Sequence, residues 1–341
     1  MGRPPTKEYH KNMNDAYITG TLTCLKPDYI KKNINTDFPL VLNIEPTNYC
    51  DLDCYICPRK IAIDKGYKKL GHMDFKLYKK IIDECSKYRK LVMLNLHKDG
   101  ESLLHPRIYD MIRYAKIMDV AEKIHMNTNA VVLNKKNAYN YIFSGIDDIT
   151  FSIDAARAET FNKIKRKNVL EKVENNVKNF IEYRDDIGLD KPFVRVKIME
   201  FEDISKDEID EFFNKWKGIA DDVQVTGVHS WSGSVNVEAT DETYDIDCPC
   251  PLIWYGIAIN WDGRVSICSL DWDCSLIVGD ITKNSIHDVW NGEQIKKFRE
   301  LELYHRDKRS KTCKDCVLWS CMGDMKDFLS KKTEFLPEII V

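Results

Sequence analysis

Long apolar runs are missing from this 341-residue chain. No segment reaches the roughly 18 uninterrupted apolar residues that a membrane helix needs, and the start, Met1-Gly-Arg-Pro-Pro-Thr-Lys-Glu8, lacks the apolar core of a secretion signal. A dominant charge is missing too. Lys and Arg total 51 against 54 Asp and Glu, for a net charge of −3, and no basic block tracks a phosphate backbone, so nucleic acid is not an expected partner. A spread disulfide framework is also absent. The 12 cysteines cluster at C-x-C, C-x2-C and C-x3-C spacings, which fits metal ligation in a reducing compartment better than the cross-links of a small secreted domain. A soluble, cytoplasmic protein is expected, and 43% hydrophobic content suffices for one large domain and a smaller one.

What is present begins with Glu45-Pro-Thr-Asn-Tyr-Cys-Asp-Leu-Asp-Cys-Tyr-Ile-Cys-Pro58. Cys50, Cys54 and Cys57 stand on a loop that follows a short apolar strand. Three thiolates are one too few to close a tetrahedral metal site, so a metal ion or a four-iron cluster held there keeps one position for an outside ligand. A structural zinc knuckle completed from elsewhere, for example by His72, is the alternative reading.

Short apolar runs then alternate with amphipathic stretches, the pattern of strand-helix units around a parallel sheet. Six strands are predicted, at Leu40 to Ile44, Leu91 to Leu96, Lys123 to Met126, Asp148 to Ile153, Val194 to Met199 and Asp222 to Val228. Asp74 is the expected N-cap of a helix whose buried face carries Phe75, Tyr78, Ile81, Ile82 and Cys85. Pro106 suits the first turn of the next helix, with Ile108, Met111, Ile112 and Ala115 on one face. A longer helix is expected near Leu170 to Tyr183. Periodicity leaves a doubly wound sheet and an incomplete barrel both open. The expected organisation is an N-terminal extension at 1–37, a core at 38–240, a Cys-rich unit at 241–330 and a tail at 331–341.

The Cys-rich unit reads Cys248-Pro-Cys250, then Ile257 to Cys268 around a strong Asp262-Gly263 hairpin signal, then Cys313-Lys-Asp-Cys316 and Cys321. A cysteine pair at a hairpin meeting a C-x2-C is also how zinc ribbons are built, so zinc stays open for this unit taken alone.

Together these motifs resemble the radical S-adenosylmethionine (SAM) superfamily, and the second cysteine set resembles its SPASM extension, or the shortened form called twitch. The resemblance implies an α/β fold, a partial (β/α)6 TIM-like barrel with a small C-terminal β-hairpin and helix domain, and a site at the carboxyl ends of the strands. It implies a 4Fe-4S cluster on Cys50, Cys54 and Cys57 that binds SAM. One auxiliary 4Fe-4S cluster would sit on Cys250, Cys268, Cys313 and Cys316, leaving Cys248, Cys274 and Cys321 unassigned. Tyr55 and Ile56 precede the third cysteine, where adenine contacts are expected. Asp99-Gly100-Glu101 is similar to the Gly-Gly-Glu motif that holds the methionine amino group. Asn127-Thr128-Asn129-Ala130 is similar to a Thr-Asn-Gly turn, and Ser152-Ile-Asp154 to a Ser-x-Asp motif. Arg166 and Arg195 are candidates for the SAM carboxylate.

The family reaction begins with one-electron cleavage of SAM to a 5′-deoxyadenosyl radical, which removes a hydrogen atom from carbon. With an auxiliary cluster to take the remaining electron, a secondary alcohol becomes a ketone. The short N-terminal extension argues for a small, carbohydrate-like or aminocyclitol-like substrate. His229, with His97 and Arg195 as further candidates, is expected at the substrate hydroxyl, and Trp231 at the pocket wall. An external one-electron donor such as flavodoxin or ferredoxin is implied. Alternatives are an epimerase with Cys274 or Cys321 as hydrogen donor, a peptide maturase, and a zinc-binding structural protein.

Overall fold

The structure is a computed structural model that describes residues 17–19, 23–228, 231, 234–235, 249–314, 316 and 325–337. Two short antiparallel strands, β1 (Tyr17–Thr19) and β2 (Thr23–Leu25), precede the core. The core strands are β3 (Val41–Ile44), β4 (Leu91–Asn95), β5 (Ala121–Thr128), β6 (Asp148–Ser152), β7 (Phe193–Glu200) and β8 (Asp222–Gly227). They pair in chain order and all in parallel. This is the six-stranded partial barrel that the motifs implied.

Alternation along β5 shows how the wall is built. Ile124, Met126 and Thr128 are buried, while Lys123, His125 and Asn127 on the opposite face are only partly so. The inner face is therefore polar. Asn95 Nδ2 donates to Asn43 Oδ1 at 2.8 Å across β3 and β4, and Arg195 Nε to Asp222 Oδ2 at 2.9 Å across β7 and β8.

Helices cover the outer face. Asp74 caps the helix Phe75–Cys85 by accepting from the Lys76 and Leu77 amides at 2.7 and 3.4 Å, and Tyr78, Ile81, Ile82 and Cys85 are buried. The next helix, Ile108–Ile117, starts later than Pro106 suggested, because Arg107 is its N-cap and its amide donates to His105 Nδ1 at 3.1 Å. The helix Leu170–Asp186 runs three residues past Tyr183, and its Arg184 is fixed by Asp221.

The Cys-rich unit joins this sheet. Strand β9 (Gly256–Ile259) lies parallel to β3, with Val41 opposite Gly256 and Ile44 opposite Ile259, and β10 (Arg264–Ser266) and β11 (Ile277–Asp280) follow antiparallel. Gly263 turns the β9–β10 hairpin at φ +92°, a conformation that side chains disfavour. Among the described residues, no helix is long and apolar enough to cross a membrane.

Candidate active site

The loop after β3 is pinned before it reaches its first thiol. Asn48 donates to the Lys69 carbonyl at 2.7 Å and accepts from the Gly71 amide at 2.9 Å, and Thr47 Oγ1 donates to the Gly71 carbonyl at 3.0 Å. Arg59, just beyond Pro58, folds back to the carbonyls of Asn48 and Leu52 at 3.4 and 3.2 Å. Cys50, Cys54 and Cys57 are free thiols on this loop. Burial pushes Cys50 and Cys57 up to about 12 and raises Cys54, while the Arg59 cation opposes each shift. His72, the suggested fourth zinc ligand, packs its ring against Tyr49 at 4.7 Å and His105 at 5.4 Å.

The loop after β4 presses on the cysteine loop. A Cβ on Gly100 would stand 2.3 Å from the Thr47 carbonyl oxygen, 2.7 Å from Asn48 Cα and 2.7 Å from the Tyr49 oxygen, and Glu101 N–H donates to Tyr49 O at 2.8 Å. The close approach that requires glycine here is between two loops of the protein. Glu101 is buried and accepts from Thr128 Oγ1 at 2.8 Å, the Asn129 amide at 2.7 Å and the Leu103 amide at 3.0 Å. Burial raises its carboxyl to about 7. It ties β4 to β5, a role the sequence reading gave to a ligand ammonium. Asn129 in turn donates to Asp51 at 2.8 Å and lies 3.9 Å from Cys50 Sγ. Ala130 follows at φ +59°, where glycine is the usual choice.

The loop after β6 brings in a cation that the sequence reading missed. Lys165 is buried and pairs with Asp154, whose charge outweighs the burial and holds the ammonium protonated, and it lies close to Cys54 and Cys50. Its Nζ also donates to the Ser152 carbonyl at 3.3 Å. Arg166, the residue chosen from sequence, caps the helix Ala158–Lys165 at φ +55° and is exposed, in an outer cleft shared with Cys50, Asp51 and Arg59. The helical face of Phe161, Ile164 and Lys165 carried the signal that Lys165 points inward. Asp154, at φ +62°, keeps Oδ1 without a hydrogen-bond partner among the described residues. Lys197 on β7 is buried nearby, and burial lowers its pKa.

Other expected residues are placed differently. Tyr55 hydrogen-bonds Asp203, and the Ile56 carbonyl accepts from Trp231 Nε1 at 3.1 Å. Both ring nitrogens of His97 face Asn127, at 3.3 Å from its amide N and 3.2 Å from Nδ2. No ring nitrogen is left free for a substrate, contrary to the expected base. Asn127 Oδ1 lies 2.9 Å from His125 Nε2, whose other nitrogen pairs with Asp148. Arg195 belongs to the wall: it donates to Asp222 at 2.9 Å and Thr150 at 3.2 Å instead of meeting a ligand carboxylate. His229, Cys248 and Cys321 lie outside the described residues.

Cys250, Cys268, Cys313 and Cys316 line one cavity with Leu252, Ile267 and Trp231. Trp231 therefore touches both cysteine regions. The Cys250 amide donates to Glu302 at 3.0 Å, and Glu302 is paired with Arg309. Among the described residues, no three His, Cys, Asp or Glu side chains are grouped as a ready single-ion site. A second link joins the two regions. Asp99 pairs with the buried Lys68 and with Lys98 at 3.0 Å, and both ammoniums reach the Asp271 carbonyl, at 3.3 and 3.2 Å. Cys274 stands beside Lys68 and Lys98, partly exposed, at φ +58°.

A parallel sheet with an open three-thiol loop and polar strand ends has the build of an enzyme that binds a cofactor at the carboxyl ends of its strands. The family model for the radical SAM superfamily matches residues 44–214, half of the chain, and that for the SPASM iron-sulfur cluster-binding domain matches 248–317. The chain belongs to the radical SAM superfamily. Its chemistry therefore draws on SAM and a 4Fe-4S cluster, and the SPASM match implies further iron-sulfur binding.

Over 162 residues the chain is 30% identical to the tungsten-containing aldehyde ferredoxin oxidoreductase cofactor-modifying protein of Pyrococcus furiosus, covering 46% of this chain and 43% of that one. It is 21% identical over 277 residues to the S-adenosyl-L-methionine-dependent 2-deoxy-scyllo-inosamine dehydrogenase of Niallia circulans, covering 81% and 92%. The matches span about half the length of the first of these curated relatives. Among solved structures, Streptococcus suis SuiB bound to precursor peptide SuiA superposes with a TM-score of 0.64 at 16% identity, over 96% of this chain and 84% of that one. At that identity the likeness is one of fold.

Proposed function

We propose that the protein oxidises a secondary alcohol of a small carbohydrate-like or aminocyclitol-like molecule to a ketone. In this reading Cys50, Cys54 and Cys57 hold the SAM-binding cluster, and Cys250, Cys268, Cys313 and Cys316 hold one auxiliary cluster. The units are the barrel at 38–240 and the auxiliary segment at 241–330. The observation that carries the reading is the double link between the two cysteine regions, through Trp231 and through Lys68, Lys98, Asp99 and Asp271. The likeness to the Niallia circulans dehydrogenase supports the substrate class.

The donor chemistry fits the clusters. All seven are thiols rather than disulfides, and burial raises those of Cys50, Cys54, Cys57, Cys250, Cys268 and Cys313, so cluster loading releases protons. Arg59 and Lys165 offset the negative charge of the first set. When bound, SAM and the clusters supply a radical that takes a hydrogen atom from carbon and an acceptor for the electron left behind. The protein's own part is to position and to move a proton. Asp154 Oδ1, buried and unpartnered beside Lys165, suits a SAM hydroxyl. Lys197, biased toward the neutral amine by its burial, takes the proton of the substrate hydroxyl. An external donor such as flavodoxin or ferredoxin delivers the initiating electron.

The test is anaerobic reconstitution with iron and sulfide, then SAM and a reductant, with 5′-deoxyadenosine and products followed by mass spectrometry across sugars and aminocyclitols. A product lacking two hydrogens supports the dehydrogenase. An unchanged mass with one deuterium gained from heavy water assigns an epimerase instead, for which the partly exposed Cys274 is the hydrogen donor.

A further inference from the structure

Three buried polar atoms at adjoining strand ends find no hydrogen-bond partner among the described residues: Glu45 Oε1 and both amide atoms of Asn260. Glu45 is 0% exposed and Asn260 1%. Ile44 of β3 stands opposite Ile259 of β9, and the Glu45 amide donates to the Ile259 carbonyl at 2.9 Å. The next residues, Glu45 and Asn260, therefore leave the paired strands at one level and on one face. The other oxygen of Glu45 accepts from the Trp261 amide at 3.2 Å.

The surroundings fix the chemistry. Three cations stand near: Lys68 and Lys98 are committed to Asp99 and to the Asp271 carbonyl, and Arg264 to Asp262 at 2.8 Å. A free carboxylate oxygen and a free carboxamide remain. Interiors seldom leave such atoms unpartnered, and each one calls for a water, an ion or a ligand to complete it. The location is also apt. Asp99, beside Glu45, lies close enough to Cys57, and Asp271 to Cys268 and Cys313, for their charges to act on those thiols, so Glu45 and Asn260 stand between the two cysteine regions.

We propose that Glu45 and Asn260 form the recognition subsite for a ring bearing adjacent hydroxyl and amino groups. This rests on the reaction proposed above and adds the residues that choose its substrate. A ligand hydroxyl donates to Asn260 Oδ1 while accepting from Nδ2, and a second hydroxyl or an ammonium donates to Glu45 Oε1. A phosphate or carboxylate is disfavoured where it meets the free Glu45 oxygen, which offers lone pairs and no proton to an anion.

The experiment uses the reconstituted holoenzyme and the variants Asn260→Leu, Asn260→Ala and Glu45→Gln. It measures iron content, ligand-free thermal unfolding, and calorimetric binding of 2-deoxy-scyllo-inosamine, glucosamine, myo-inositol and GTP. If Asn260 is kept for a ligand, removing its amide leaves the unfolding temperature unchanged or higher in at least one of its two variants. Both should retain full iron and bind the amino-bearing rings at least tenfold more weakly. Glu45→Gln should weaken the amines more than myo-inositol, and GTP should not bind. A lowered unfolding temperature in both Asn260 variants would show that the amide is structural and overturn the proposal. So would unaltered ring binding in the variants, or no ring binding by iron-replete wild type. Absence of 5′-deoxyadenosine from wild type that binds the rings would instead overturn the reaction and leave the subsite standing.

Discussion

Substituting Gly100 by Ala tests how the cofactor loop is supported. The new methyl carbon would meet three backbone atoms of the cysteine loop at 2.3 to 2.7 Å, and none of them is a side-chain end that can swing away. The two loops must separate, which breaks the 2.8 Å bond from Glu101 N–H to Tyr49 O. Overpacking of this kind costs about 1–3 kcal/mol, and the lost bond adds about 1 kcal/mol. A total on the order of 2–4 kcal/mol follows, placed at the thiols themselves. Glu101 would carry the displacement on to Thr128 and Asn129, and Asn129 adjoins Cys50. Denaturant unfolding of the iron-free protein should show the loss, and reconstitution should leave the first cysteine set poorly loaded while the auxiliary set fills. A Gly100→Ala protein with an unchanged unfolding midpoint, full iron and full SAM cleavage would show that the contact of the two loops does not support the cluster.

Lys165→Met removes a buried cation and leaves Asp154 uncompensated, an imbalance worth about 3–5 kcal/mol. Chemical denaturation should register it, and Lys165→Arg should restore part. His105 is held neutral, with Nε2 at 3.0 Å from the Met73 carbonyl and Nδ1 accepting from the Arg107 amide. Burial, with His72 and Arg107 nearby, lowers its pKa below 6.5. Its contribution is therefore present above pH 6.5 and is lost as the pH falls below that. Thermal unfolding from about pH 7.5 to about pH 5 should show that slope, and His105→Gln should flatten it. Lys197→Met should leave iron content and SAM binding intact while slowing product formation and flattening its pH profile. Full product formation with an unaltered profile would remove Lys197 from the proton's route.

Much of the barrel was legible because local signals agreed. Asp74 caps where a capping residue precedes an apolar 3.6-residue pattern, and all six strands fall within a few residues of the apolar runs that marked them. The pairing of β9 with β3 was not legible, since its partners lie more than two hundred positions apart and nothing local names a strand's neighbour. Side-chain commitment was hidden too. His97 looked like a base by residue type, but only the folded chain brings Asn127 against both its ring nitrogens. Between Lys165 and Arg166, a left-handed backbone at the helix end decides which one turns inward. Glu101 and Gly100 were found by motif, yet their partners belong to the protein's own loops.

Iron and sulfide analysis of wild type beside the Cys50→Ala, Cys54→Ala, Cys57→Ala triple variant decides whether the first cysteine set holds the SAM-cleaving cluster. Brown wild-type protein with about eight iron and about eight sulfide is expected, corresponding to two four-iron clusters. The triple variant should keep about half of that iron and lose all release of 5′-deoxyadenosine from SAM. Colourless wild-type protein loaded with zinc, or a triple variant that still cleaves SAM, would contradict the account.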